Sequence, residues 1–79
     1  MNFLKEKVQK YQEKKLLEAK EKLKFYTEIK NQLERRLKTI DDEQVNEVKK
    51  KIEKQDEFIE IWKKNIDSIN TQIRKLKSG

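Results

Sequence analysis

The chain has 79 residues, room for one small domain, with 46% charged and 33% hydrophobic residues and a net charge of +6. It has no proline, and its single glycine is the last residue; a fold with many turns would recruit both, so this is the composition of long helices. Cysteine and histidine are absent, which excludes disulfides, thiolate metal sites and the commonest general base.

No uninterrupted apolar run exceeds two residues, so neither a membrane span nor a signal peptide is expected, and the expected location is the cytoplasm. The apolar residues are phased, which distinguishes the chain from a disordered one of similar charge.

The first predicted helix covers about residues 2–39. From Leu16 its apolar positions recur at heptad spacing through Ala19, Leu23, Tyr26, Leu33, Leu37 and Ile40, with one polar position at Lys30. Leu4, Val8 and Tyr11 also form a helical stripe, but out of step with these heptads. Reading Val8, Tyr11, Lys15 and Ala19 as one stripe requires a stutter, which would unwind a supercoil locally. The first third of the chain is therefore expected to pack less regularly.

A turn is predicted at about residues 40–42. Asp41 and Gln44 have the spacing of a capping box, and Ile40 and Val45 that of a hydrophobic staple. Asp42 and Glu43 fall where a helix dipole favours negative charge. The alternative, one continuous helix of ~115 Å, would throw the stripes before and after Ile40 out of register, although no glycine caps the first helix. The nine residues Leu37-Lys38-Thr39-Ile40-Asp41-Asp42-Glu43-Gln44-Val45 resemble the bend of the Rop plasmid copy-control hairpins, which bind RNA as dimeric bundles. The helices here are longer, the similarity reads as a shared capping solution, and no family is assigned from it.

The second predicted helix covers about residues 43–77. Val45, Val48, Ile52, Gln55, Ile59, Trp62, Ile66, Ile69, Ile73 and Leu76 are spaced three, four, three, four without a break. In an antiparallel pair, facing residues have numbers adding to a constant. Leu37 with Val48, Leu33 with Ile52, Tyr26 with Ile59, Leu23 with Trp62 and Leu16 with Ile69 all add to 85. So do the two polar seam residues, Lys30 and Gln55, which should meet in one layer, satisfy each other and set the register. The small Ala19 leaves room beside Trp62, which reads as a core residue. The expected fold is all-α: one antiparallel two-helix coiled-coil hairpin over residues 1–79, dimerising into a four-helix bundle.

Four large apolar residues lie off this seam. Ile29 and Phe58 are both g positions, Phe25 and Ile61 both c positions, so all four should gather on one flank about midway along the rod. Contiguous apolar patches mark interfaces, and the simplest partner is a second copy. Leu17 and Phe3 project toward the other side.

Charge is uneven. Residues 1–24 and 63–79 hold 13 Lys or Arg against 5 Asp or Glu, whereas residues 25–62 hold 8 against 10. Folding as a hairpin makes the open end basic, with Lys5, Lys7, Lys10, Lys75 and Lys77, and the turn end acidic. Much of the charge has the spacing of helix-surface pairs, as in Glu6 with Lys10 and Glu18 with Lys22. Base readout would favour arginine or exposed aromatics, and only Arg35, Arg36 and Arg74 are present.

Ser68 and Ser78 have no histidine to activate them, and no phosphate loop, dinucleotide fingerprint or metal-ligand spacing occurs. No enzymatic activity, cofactor or metal is expected. The expected function is a small protein-interaction module, an adaptor, inhibitor or assembly factor of phage or mobile-element type, acting on itself, a larger protein or both. The alternative is a nucleic-acid-associated accessory protein using the basic open end; no membrane partner is expected.

Overall fold

The computed structural model describes residues 2–78. It is an antiparallel hairpin of two helices, α1 (Asn2–Leu37) and α2 (Asp42–Ser78), forming a rod 62 × 14 × 12 Å. Helix α1 stops two residues before the sequence expectation. Lys38 N–H donates to the Arg35 carbonyl (3.2 Å) and Thr39 N–H to that of Arg36 (3.0 Å), so the last turn tightens to i→i−3 bonding. No described residue has a positive φ. The bend therefore needs no left-handed residue, which is why it forms without glycine.

At the start of α2, Gln44 N–H donates to the Asp41 carbonyl (2.9 Å). The backbone makes the contact that the capping-box spacing assigns to side chains. Asp42 and Glu43 lie in the first turn of α2, and Arg35 and Arg36 in the last turn of α1, each at the favourable end of the helix dipole.

Packing follows a single seam. Ala19, Val48, Ile59, Ile69 and Ile73 are buried, and Leu16, Trp62 and Ile66 pack against the cluster of Ala19, Ile69 and Ile73. Trp62 is thus part of the core beside the small Ala19.

The stutter expected in the first third of α1 does not occur. Gln12, Gln9 and Lys5 are half-buried and continue the spacing of Leu16 and Ala19 without a break, while Leu4, Val8 and Tyr11 are exposed. The reason lies in the partner helix. α2 offers Ile66, Ile69, Ile73 and Leu76 in uninterrupted heptads, so turning Val8 and Tyr11 inward would unwind α1 against a stripe that has no matching irregularity. The cost is a polar atom in the core: Gln12 Oε1 is buried without a hydrogen-bond partner.

The middle layer also differs from its expected chemistry. Lys30 Nζ pairs with Asp56 at 2.6 Å and lies 3.8 Å from Glu34, while Gln55 Oε1 is buried and unpartnered. The lysine is long enough to carry its ammonium to the rim of the seam, where the Asp56 carboxylate is a stronger acceptor than an amide. The hydrogen bond to Asp56 and the two neighbouring carboxylates raise the Lys30 pKa above its ordinary value, with desolvation opposing them. Gln55 is left carrying the unfavourable share of the layer. Gln55→Leu should therefore stabilise the hairpin by at least ~1 kcal/mol, the lower end for an unsatisfied buried acceptor. Circular dichroism melts should rise by about 4–8 °C; a fall would show that the amide has a partner in solution.

Candidate association surface

A two-helix seam covers one stripe of each helix, and the rest of each surface faces solvent. The exposed area is 6618 Å², against ~5,100 Å² for a compact monomer of this mass. The excess follows from the elongated shape of the rod, 62 × 14 × 12 Å.

Two of the four residues expected to gather, Phe25 and Phe58, meet in an aromatic cluster around Tyr26. The rings of Tyr26 and Phe58 stack across the two helices with centroids 4.8 Å apart, and Phe25 meets Tyr26 edge-on at 5.2 Å. Phe58 and Ile29 are half-buried, whereas Phe25 and Ile61 are 55% and 52% exposed. Tyr26 is a seam position whose ring also reaches the flank, through its contacts with Phe58 and Phe25. Lys54 places its ammonium 5.7 Å from the Phe58 ring centre, a weak cation–π contact at an exposed rim.

Sequence reading missed a second apolar group on the same side. Because the seam runs through Gln12 and Gln9, Val8 falls at the g position and Leu4 and Tyr11 at c, the positions held further along by Ile29 and Phe25. The surface confirms the continuity. One hollow is lined by Val8, Gln12 and Gln72, a second by Gln12, Lys22 and Gln72 among others, and a third by Lys22 and Phe25. Each shares residues with the next, so one shallow flank runs from Val8 to Phe25. The signal was available in the numbering, since Gln12 with Ile73 and Gln9 with Leu76 also add to 85.

The opposite flank is polar. Its e positions are Glu6, Glu13, Lys20, Thr27 and Glu34 on α1, and Lys49, Asp56, Lys63, Asn70 and Lys77 on α2. Among the described residues only Phe3 and Leu17 of the large exposed hydrophobics lie toward it, 64% and 60% exposed, and Lys7 covers the Phe3 ring at 4.7 Å.

At the open end Lys7, Lys10, Lys75 and Lys77 are exposed and Lys5 is half-buried in the continued seam. The ion pairs among the described residues involve Lys30, Lys51 and Lys54, all in the turn-side half. Glu6 with Lys10 and Glu18 with Lys22, expected to pair by spacing, are not among them, as the small net gain of exposed pairs allows. Among the described residues no group of His, Cys, Asp or Glu could hold a metal ion. No helix is long and apolar enough to cross a membrane. No family model, curated protein or solved structure matches the chain.

Proposed function

We propose that this chain is a non-catalytic interaction module whose apolar flank binds protein, first of all a second copy of itself, so that two hairpins form a four-helix bundle able to act as an adaptor, inhibitor or assembly factor. The observation that carries the reading is the one-sidedness of the surface: Leu4, Val8, Tyr11, Phe25, Ile29, Phe58 and Ile61 share one flank, and the other has no comparable group. Patches of this kind on soluble proteins mark interfaces. One side of the 62 × 14 × 12 Å rod matches in scale the ~800 Å² per partner of an ordinary interface. Sedimentation equilibrium at micromolar concentration tests it, the expected mass being twice the 9.7 kDa of one chain.

A second reading rests on the basic open end, whose lysines form no ion pair among the described residues. Nucleic-acid binding there would be electrostatic and would fall steeply with salt, by a log–log slope of about −0.9 for each duplex phosphate neutralised. Changing Lys5, Lys7, Lys75 and Lys77 to Gln should then abolish a gel shift seen at low salt. The absence of any shift for the unaltered chain at low salt removes this reading.

A further inference from the structure

The flank carries two apolar groups separated by a polar stretch. Leu4, Val8 and Tyr11 lie near the open end; Phe25, Ile29, Phe58 and Ile61 lie midway along the rod. Between them are Lys15, Glu18 and Lys22 on α1 and Asn65, Ser68 and Gln72 on α2, which line a hollow of about 250 Å³. A second hairpin must cover both apolar groups to bury the whole patch, and this restricts how it can sit.

Three arrangements stack the flanks by a two-fold axis. If the turns point the same way, α1 of each copy lies on α2 of the other at equal height. The aromatic clusters then meet, but Leu4, Val8 and Tyr11 face Lys75 and the end of α2. If the copies are antiparallel with the axis at the aromatic cluster, Leu4 and Val8 project past the partner's turn. An antiparallel dimer with its axis between Lys15 and Glu18 brings the open-end group of each copy onto Phe25 and Ile29 of the other, with Ile61 and Phe58 over Lys75 and the end of the partner's α2, and of the three it alone sets opposite charges beside the axis.

The same arithmetic that orders the hairpin orders this contact. From Leu4 to Ile29 the c and g positions on α1 are Leu4, Val8, Tyr11, Lys15, Glu18, Lys22, Phe25 and Ile29, and numbers adding to 33 pair these antiparallel, with Gln32 and Arg36 lying beyond the overlap. Leu4 meets Ile29 of the other copy, Val8 meets Phe25, Tyr11 meets Lys22 and Lys15 meets Glu18. Two layers are apolar, one sets an ammonium on an aromatic ring, and the central one joins opposite charges. On α2 the positions near the axis, Asn65, Ser68 and Gln72, carry no charge, so no like charges are forced together there.

We infer that the partner seated on this flank is a second copy in this antiparallel register, with the Val8 region of each hairpin on the Phe25 region of the other and the two-fold axis between Lys15 and Glu18. The inference rests on the self-association proposed above. It explains why three apolar residues at the start of α1 are left out of the hairpin seam: they belong to a second seam of the same spacing. The overlap from Leu4 to Ile29 spans ~38 Å of helix, within the 62 Å rod, leaving the acidic turn ends projecting on both sides.

Because the chain has no cysteine, single exposed thiols can report the register. Val8→Cys and Phe25→Cys are each expected to stay unbridged when oxidised alone, since like positions lie ~25 Å apart in this dimer, far beyond disulfide reach. An equimolar mixture of the two should form the mixed disulfide dimer, and Leu17→Cys, on the other side, should bridge with neither. In an independent arm, Glu18→Lys should weaken the dimer about tenfold by placing like charges in two symmetric contacts. Adding Lys15→Glu should restore it. Self-bridging of Phe25→Cys, or an unbridged mixture from a chain that sediments as a dimer, overturns the register and leaves self-association standing. A wild-type chain that sediments as a monomer overturns both.

Discussion

Ile29→Glu combined with Phe58→Lys should convert the dimer to a single chain without unfolding the helices. Both positions are g residues at nearly the same height on the two helices, so within one hairpin the new charges have opposite sign and sit beside each other. A glutamate and a lysine on that rim resemble the exposed pairs already found on the rod, such as Lys51 with Glu47, and little net stability is at stake. Across a dimer interface the balance reverses, because ionised groups must lose water against an apolar surface. Four altered side chains per dimer, each already half-buried in the hairpin, would lose about half of the ~1.5–3 kcal/mol of a fully buried large side chain. That is ~3–6 kcal/mol, or roughly two to four decades in Kd. Helicity by circular dichroism should persist while the sedimenting mass falls to that of one chain. A variant that remains dimeric would place the interface elsewhere.

Ile69→Ala should be the most damaging conservative truncation in the hairpin. Ile69 is 8% exposed and joins Ala19 and Ile73 in the buried cluster, with Leu16, Trp62 and Ile66 packed around it. Ala19 offers only a methyl group, too small to fill the space left, so the cavity term is retained and the cost is ~2–5 kcal/mol. A chain of this length has a total stability of only ~4–12 kcal/mol, so the melting temperature should drop by about 10 °C or more. Leu17→Ala, at 60% exposure, should change stability by less than ~0.5 kcal/mol. Both variants must be melted at one protein concentration, because association couples to apparent stability. A small effect at Ile69 would mean that the open half of the hairpin does not melt with the rest.

These expectations draw unequally on sequence and structure. Residue order alone determined the two helices, the bend between them and their alignment. The α2 stripe from Val45 to Leu76 is unbroken, and pairing it with Leu16 to Leu37 so that Lys30 faces Gln55 across a bend at residues 40–42 leaves one register. The expected gathering of Phe25, Ile29, Phe58 and Ile61 came from the same numbering. Tertiary structure decided which side of the first third of α1 turns inward. Local hydrophobicity favours Val8 and Tyr11 over Gln9 and Gln12, but a coiled coil sets its register collectively, and layers already in step with Ile69 and Ile73 outweigh one or two polar positions. Tertiary structure also decided that Lys30 bonds Asp56 and leaves Gln55 without a partner. Facing positions in a layer specify which backbones are adjacent, whereas a long cationic side chain can leave its layer for the strongest acceptor at the rim.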